Sequence, residues 1–515
     1  MATDIPRARL GGAVLLACAL VMTRGAEAQD AAGDFAPASS VPWLSDVLRA
    51  PPSDGRPGEP DATPLVSSDI TVTALGDTRR DAAGLLPAEQ AGLPRDLWSG
   101  SRPERLADLL ARQPVDGLPA ASALLRRILL AELDPPVAAS DGDALFLARV
   151  DALLRMGALD EAQALLEQAG ATDPEGFRRW FDTSLLTGHD SDSCAAMSAN
   201  PGLAPTLPAR VFCLSRGGDW PAAALTLETG RALGAITPEE DALLFHFLDP
   251  ELAEGTPLPD VPRRMTPLTF RLLDGIGETP ATRDLPLAFA VADLRPTIGW
   301  KARIEAAERL ARVGALDPNR LLSLYTDRRP SASGGVWDRA AAVQLLDAAL
   351  ARGDADAVAG ALPAAVDRLG EAGLLLPLAT LYGERVASLD LDGEAGEDAR
   401  RLGLLSPSPE AVAGVIAPVT PQERFAVSVA LGAPAAPPAG MIAEAVFDGM
   451  TGPAPDELTA LASGGRTGEA LLEAMLRLSG GAETDPGDIV DVLSFLRSIG
   501  MDDVARQAAL HILLL

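Results

Sequence analysis

The sequence predicts an all-α protein, an α-solenoid of stacked helical hairpins preceded by a disordered N-terminal linker. Three observations predict it. Apolar residues fill 47 % of the 515 positions and aromatics only 4 %, and the apolar set is dominated by alanine and leucine, both strong helix formers. Residues 144–170, ALFLARVDALLRMGALDEAQALLEQAG, carry the helical period twice around one glycine. The same leucine–glycine–small spacing then returns along the chain, as it does in helical repeats. A chain of this length exceeds one compact core and suits several domains or an extended array.

The first residues read as an export signal. Arg7 and Arg9 precede an apolar run over residues 10–22, and the small residues Ala26 and Ala28 follow. A basic start, an apolar stretch and an A-x-A site make residues 1–28 a signal peptide cleaved after Ala28. The run is shorter than the roughly 20 residues a membrane span needs, so no transmembrane helix is expected after cleavage. A rival reading takes LLAC as a lipoprotein box with Cys18 lipidated, although the apolar run continues past it to Met22. Residues 29–66 include APPSDGRPGEPDATP, rich in Pro, Gly and Asp, and are expected to be a disordered linker. Residues 67–102 are expected to form an extended arm, with SSDITVTAL as a short strand lacking an evident partner.

The pattern turns helical from DAAGLLP onward, and the first helical block begins at about residue 103. In the 144–170 stretch Phe146, Val150, Leu153 and Leu154 share one face, and Ala162, Leu165, Leu166 and Ala169 share the next. Gly157 ends the first helix, Asp160 stands at the start of the second and Gly170 ends it. Such a hairpin leaves apolar surface uncovered and must stack on a neighbour. The triplet Leu153, Gly157 and Ala162 recurs as Leu214, Gly218 and Ala223, as Leu310, Gly314 and Asn319, and as Leu496, Gly500 and Ala505. Gly188 adds a rung between the first two, and Gly353 marks a fainter copy. These stretches resemble tetratricopeptide-like helical repeats, a resemblance that implies stacked hairpins and a protein-binding surface. The family's aromatic landmarks are mostly missing from their slots. Stretches such as GLLPAEQAGLPRDLWSGS and PSASGGVWDRA also resemble uncharacterised exported proteins of alphaproteobacteria, which implies export and no mechanism.

Proline-rich breaks divide the array into blocks at 103–250, 266–405 and 423–515. The terminal ALHILLL has no polar cap and is expected to fold back onto the array. Beyond the leader only Cys194 and Cys213 remain. An even count in an exported chain predicts a disulfide, and the repeat register puts them on facing helices of adjacent hairpins.

The net charge of −29 repels phosphate backbones, which argues against nucleic acid and favours basic partners. Three histidines, His189, His246 and His511, lie far apart, without an H-E-x-x-H pattern. GHDSDSC, with His189, Asp190, Asp192 and Cys194, has metal-ligand chemistry, but the same residue types serve a polar inter-helix turn. SLDLDGEAGEDA has serine and alanine, Ser388 and Ala399, where a calcium loop needs acids. ASGGRTGEALL lacks the lysine of a phosphate loop. The loop RRPSASGGVWDRA presents Trp337, Asp338 and Arg339 as a candidate binding loop, or as residues that pin the loop to a helix. No catalytic, cofactor or metal residue is therefore assigned. The expected function is a periplasmic or secreted scaffold that binds another protein or peptide without catalysis. The alternatives are the helical part of a peptidoglycan-acting enzyme or its regulator, and an outer-membrane lipoprotein component.

Overall fold

The computed structural model describes residues 39–46, 79–137, 143–170, 173–258, 260 and 262–515. The expected signal peptide, the cysteine of the lipoprotein reading, most of the linker and the short strand at 67–75 lie outside these residues. The described chain from residue 39 onward forms one compact unit, and it is helical almost throughout.

The N-terminal block holds a short 3-10 turn at Arg80–Ala82, strand β1 (Leu86–Pro87) and helices α1 (Ala88–Ala91), α2 (Pro103–Arg112) and α3 (Pro119–Leu130). Strand β2 (Ala131–Glu132) pairs with β1 in parallel. The hairpin read from the sequence is α4 (Ala144–Arg155) and α5 (Leu159–Ala169), turning at Gly157 with φ +75°. A side chain there would meet Leu310 at 2.8 Å and Leu287 at 3.1 Å, so glycine serves both the left-handed backbone and a close approach.

Next come α6 (Pro174–Thr187), α7 (Asp190–Ala199), α8 (Leu207–Arg216), α9 (Trp220–Ala232), α10 (Pro238–Leu248), α11 (Pro250–Ala253) and α12 (Pro267–Gly275). All of them but α7 start with Asp or Thr followed within two residues by Pro. Asp173, Thr206, Asp219, Thr237 and Thr266 each accept a backbone N–H of the first turn, while proline needs no donor there. Consecutive helices pack on each other from α4 to α10, and α12 returns to α6.

A 3-10 segment, Leu287–Leu294, bridges α4 and α6 to the central block. That block runs through α13 (Trp300–Arg312), α14 (Pro318–Thr326), α15 (Val336–Arg352), α16 (Ala355–Gly370), α17 (Leu375–Ala387), α18 (Gly393–Leu404) and α19 (Pro409–Ala413). The last helices are α20 (Pro421–Ala430), α21 (Met441–Thr451), α22 (Asp456–Ser463), α23 (Thr467–Arg477), α24 (Pro486–Ser498) and α25 (Asp502–Leu514).

The array closes on itself. Helix α23 packs on α2, and α25 packs on both α20 and α3. The seam is polar as well as apolar: Gly468 N donates to the Leu97 carbonyl at 3.0 Å, Gly100 N to that of Gly465 at 2.9 Å, and Gln113 to that of Leu472 at 2.9 Å. A Cβ at Gly468 would stand 2.4 Å from the Trp98 ring. Consequently the first and last blocks share one apolar core, from Phe146 and Phe181 to Phe425 and Phe495, and the central block has its own around Ile304, Tyr325 and Tyr382. The apolar tail does fold back: Leu510 and Ile512 are buried, and the Leu514 carbonyl accepts Arg401 Nε at 2.8 Å.

Cys194 on α7 and Cys213 on α8 are bonded, with Cα atoms 5.0 Å apart across a sequence separation of 19. Closing a loop of that size restricts the unfolded chain by about 3 kcal/mol. Cys213→Ala is therefore expected to lower the urea midpoint of the wild-type chain as much as added reductant does.

Candidate functional site

Where the ends of the array meet its centre, a cleft of about 690 Å³ opens between α3 and the central block. Ser122, Ala123, Arg126, Arg127 and Leu130 project into it from α3. Their spacing of four and one puts all five on a single helical face. Opposite stand the turn between α13 and α14, including Arg312, Leu316 and Asp317, and the first turn of α17, including Leu376 and Pro377.

Charge in the cleft opposes that of the whole chain. Three arginines line it, against Asp116 and Asp317. Asp317 is engaged as the cap of α14, accepting from Asn319 N at 2.7 Å. Arg126 bridges the two walls by bonding Glu161 and the Gly314 carbonyl. Arg312 gives Nε to the Ala372 carbonyl at 2.8 Å. Arg127 differs: it forms no hydrogen bond or ion pair with the described residues. Burial holds its guanidinium below the usual arginine range, opposed by the field of Asp503. The start of α17 also lacks a side-chain cap. An anionic group attached to an apolar body matches this combination, since a half-desolvated guanidinium gains most from a carboxylate.

The residues singled out in the sequence lie elsewhere. Trp337, Asp338 and Arg339 open α15 and none lines the cleft. The Trp337 ring lies 5.0 Å from that of Trp300, Asp338 accepts Gly334 N at 2.9 Å, and Arg339 grips the buried Glu308 at 2.7 and 2.5 Å. Tyr325 donates its hydroxyl to the same carboxylate at 2.7 Å. These side chains lock the loop to α13 and α14. In GHDSDSC, Asp190 is buried and accepts Arg216 Nε at 2.9 Å, and Cys194 is in the disulfide. The glycines of ASGGRTGEALL build the closure seam. His511 is buried on α25, and burial pushes it down to about 4, so it is neutral at neutral pH. Among the described residues no group of three His, Cys, Asp or Glu side chains could hold a metal ion, and no helix is long and apolar enough to cross a membrane.

Sequence reading passed over the cleft arginines. The signal was there in LLRRILL, two adjacent charges inside an apolar helix, but only the opposite wall shows that they face a cavity. No family model, curated protein or solved structure matches the chain.

Proposed function

We propose that the protein is an exported helical scaffold that binds another protein without doing chemistry on it, and that the central cleft receives an apolar segment bearing a carboxylate. The observation that carries this reading is Arg127, a half-buried cation without a described partner in an arginine-lined cleft of a strongly acidic chain. Acidic surfaces elsewhere favour basic partners at long range, but contact in the cleft selects the opposite sign. Interfaces of this kind use a few desolvated arginine and apolar anchors ringed by neutral contacts.

A photo-crosslinking side chain at Ser122 tests it. In intact cells, Ser122 is expected to yield one discrete protein adduct that Arg127→Glu abolishes, while a crosslinker at the exposed outer position Leu225 yields none. Adducts that form equally from both positions, or that survive Arg127→Glu, remove the cleft from consideration.

A further inference from the structure

Eight residues within the stretch that composition marks as linker are not linker in character. Residues 39–46, SSVPWLSD, lie in a groove formed by α4, α6, the approach to α12 and the Leu287–Leu294 segment. Val41, Trp43 and Leu44 are each at most 3 % exposed. The Trp43 ring meets Phe289 edge-on at 5.7 Å, and Phe270 backs Phe289 at 5.6 Å.

The segment turns at Pro42–Trp43, where Leu44 N donates to the Val41 carbonyl at 3.4 Å, and its polar contacts are those of a receptor for such a turned peptide. Three carbonyls of the segment are taken by arginines: Arg264 donates to Pro42 at 2.6 Å and to Leu44 at 2.5 Å, and Arg178 donates to Ser45 at 2.9 Å. Two buried aspartates read its hydroxyls. Ser39 donates to Asp151 at 2.8 Å, and Ser45 donates both Oγ–H and N–H to Asp182, at 2.7 and 2.6 Å. Arg179 fixes Asp151 through two bonds of 2.6 and 3.0 Å. This network is paid for in desolvation: Asp182 is fully buried, and burial pushes its carboxyl up to about 6 against the pull of the Ser45 bonds. A surface that only needed covering would be served by apolar contact alone. Aspartates aimed at two hydroxyls six residues apart, with an indole pocket between, define a sequence pattern.

We infer that this groove is a peptide-binding site in its own right, that residues 39–46 are its displaceable intramolecular occupant, and that it accepts in trans a peptide of the pattern Ser-x-apolar-Pro-Trp-Leu-Ser that turns at Pro-Trp. The tethered copy holds the site at an effective concentration in about the millimolar range. A partner must therefore match the pattern and bind tightly or multivalently to displace it, which makes the resident segment a threshold on binding. This site is separate from the arginine cleft and stands without it.

The synthetic peptide SSVPWLSD, fluorescein-labelled, is the probe. The full-length chain carrying Trp43→Ala and Ser45→Ala, which loosen the resident copy, is expected to bind it with a Kd in about the micromolar range. A peptide with alanine in place of its second-last residue is expected to bind about tenfold more weakly, having lost a charge-assisted bond. A scrambled peptide is expected not to bind. Arg127→Glu in the same chain is expected to leave the affinity unchanged, which separates this site from the cleft. If the double variant does not fold, the wild-type chain decides. Its tryptophans are replaced by 5-fluorotryptophan, and the Trp43 resonance is assigned with Trp43→Phe. Millimolar unlabelled peptide is then expected to move that resonance from its buried position to a solvent-exposed one. A Trp43 resonance unmoved by the peptide, or equal affinity for the scrambled sequence, overturns the proposal.

Discussion

Arg149→Leu is expected to destabilise the chain by about 5 kcal/mol, the largest effect of any single substitution considered. The guanidinium is fully buried on α4 and donates to three carbonyls: Leu129 at 3.0 and 2.7 Å, Ala131 at 2.9 Å and Asp81 at 3.0 Å. Burial lowers it to about 10, so it remains charged at neutral pH and repays its desolvation only through these bonds. Leucine fills the volume but strands the carbonyls, each of which costs about 1–3 kcal/mol when buried unpaired. It also takes from Asp81, which is itself buried and accepts Phe146 N at 2.8 Å, one of the two arginines whose positive field acts on it, leaving Arg79. The measurement is the urea midpoint, together with hydrogen exchange at Leu85, whose N–H donates to the Leu130 carbonyl at 2.7 Å beside the strand pair. A loss under about 1 kcal/mol with unchanged exchange at Leu85 would show that this arginine does not organise the junction.

Arg339→Ala is expected to cost about 4 kcal/mol, in stability rather than in binding. Its partner Glu308 is 3 % exposed, and removing one member of a buried pair leaves the other charge uncompensated, typically at 3–5 kcal/mol. Tyr325 shares that carboxylate, and burial and Glu308 drive its ionisation far upward, so it stays a neutral hydrogen-bond donor and does not replace the lost charge. Glu308→Gln in the Arg339→Ala background is expected to restore much of the loss, because the amide needs no counter-charge. Failure of that rescue, with the single variant as stable as wild type, would return Arg339 to the list of surface residues free to bind a ligand.

These two arginines illustrate where sequence reading reached its limit. Arg339 stood out because it follows a tryptophan in a glycine-rich loop. Arg149 did not stand out, being one polar residue in an amphipathic helix. Both reach buried partners in other elements, 31 residues away for Glu308 and 68 for the Asp81 carbonyl. Helical periodicity reports which face of a helix is apolar and not which polar residue has a buried partner. The eight docked residues fail for a related reason. Val41, Trp43 and Leu44 are three apolar anchors beside a long Pro, Gly and Asp stretch, and composition averaged over that window hides them.

By itself the sequence determined the local structure: hairpins that turn at left-handed glycines, helices that begin at Asp or Thr beside proline, and the cysteine pair on adjacent helices. Each depends on backbone conformation or on neighbours one hairpin away. Tertiary structure alone decided that the array closes, that Gly468 meets Trp98 across its two ends, that arginines line a cleft in an acidic chain, and that residues 39–46 sit as a peptide in a groove. Those outcomes depend on groups hundreds of residues apart coming into contact and losing water together, and no local pattern records which surfaces will share a desolvated space.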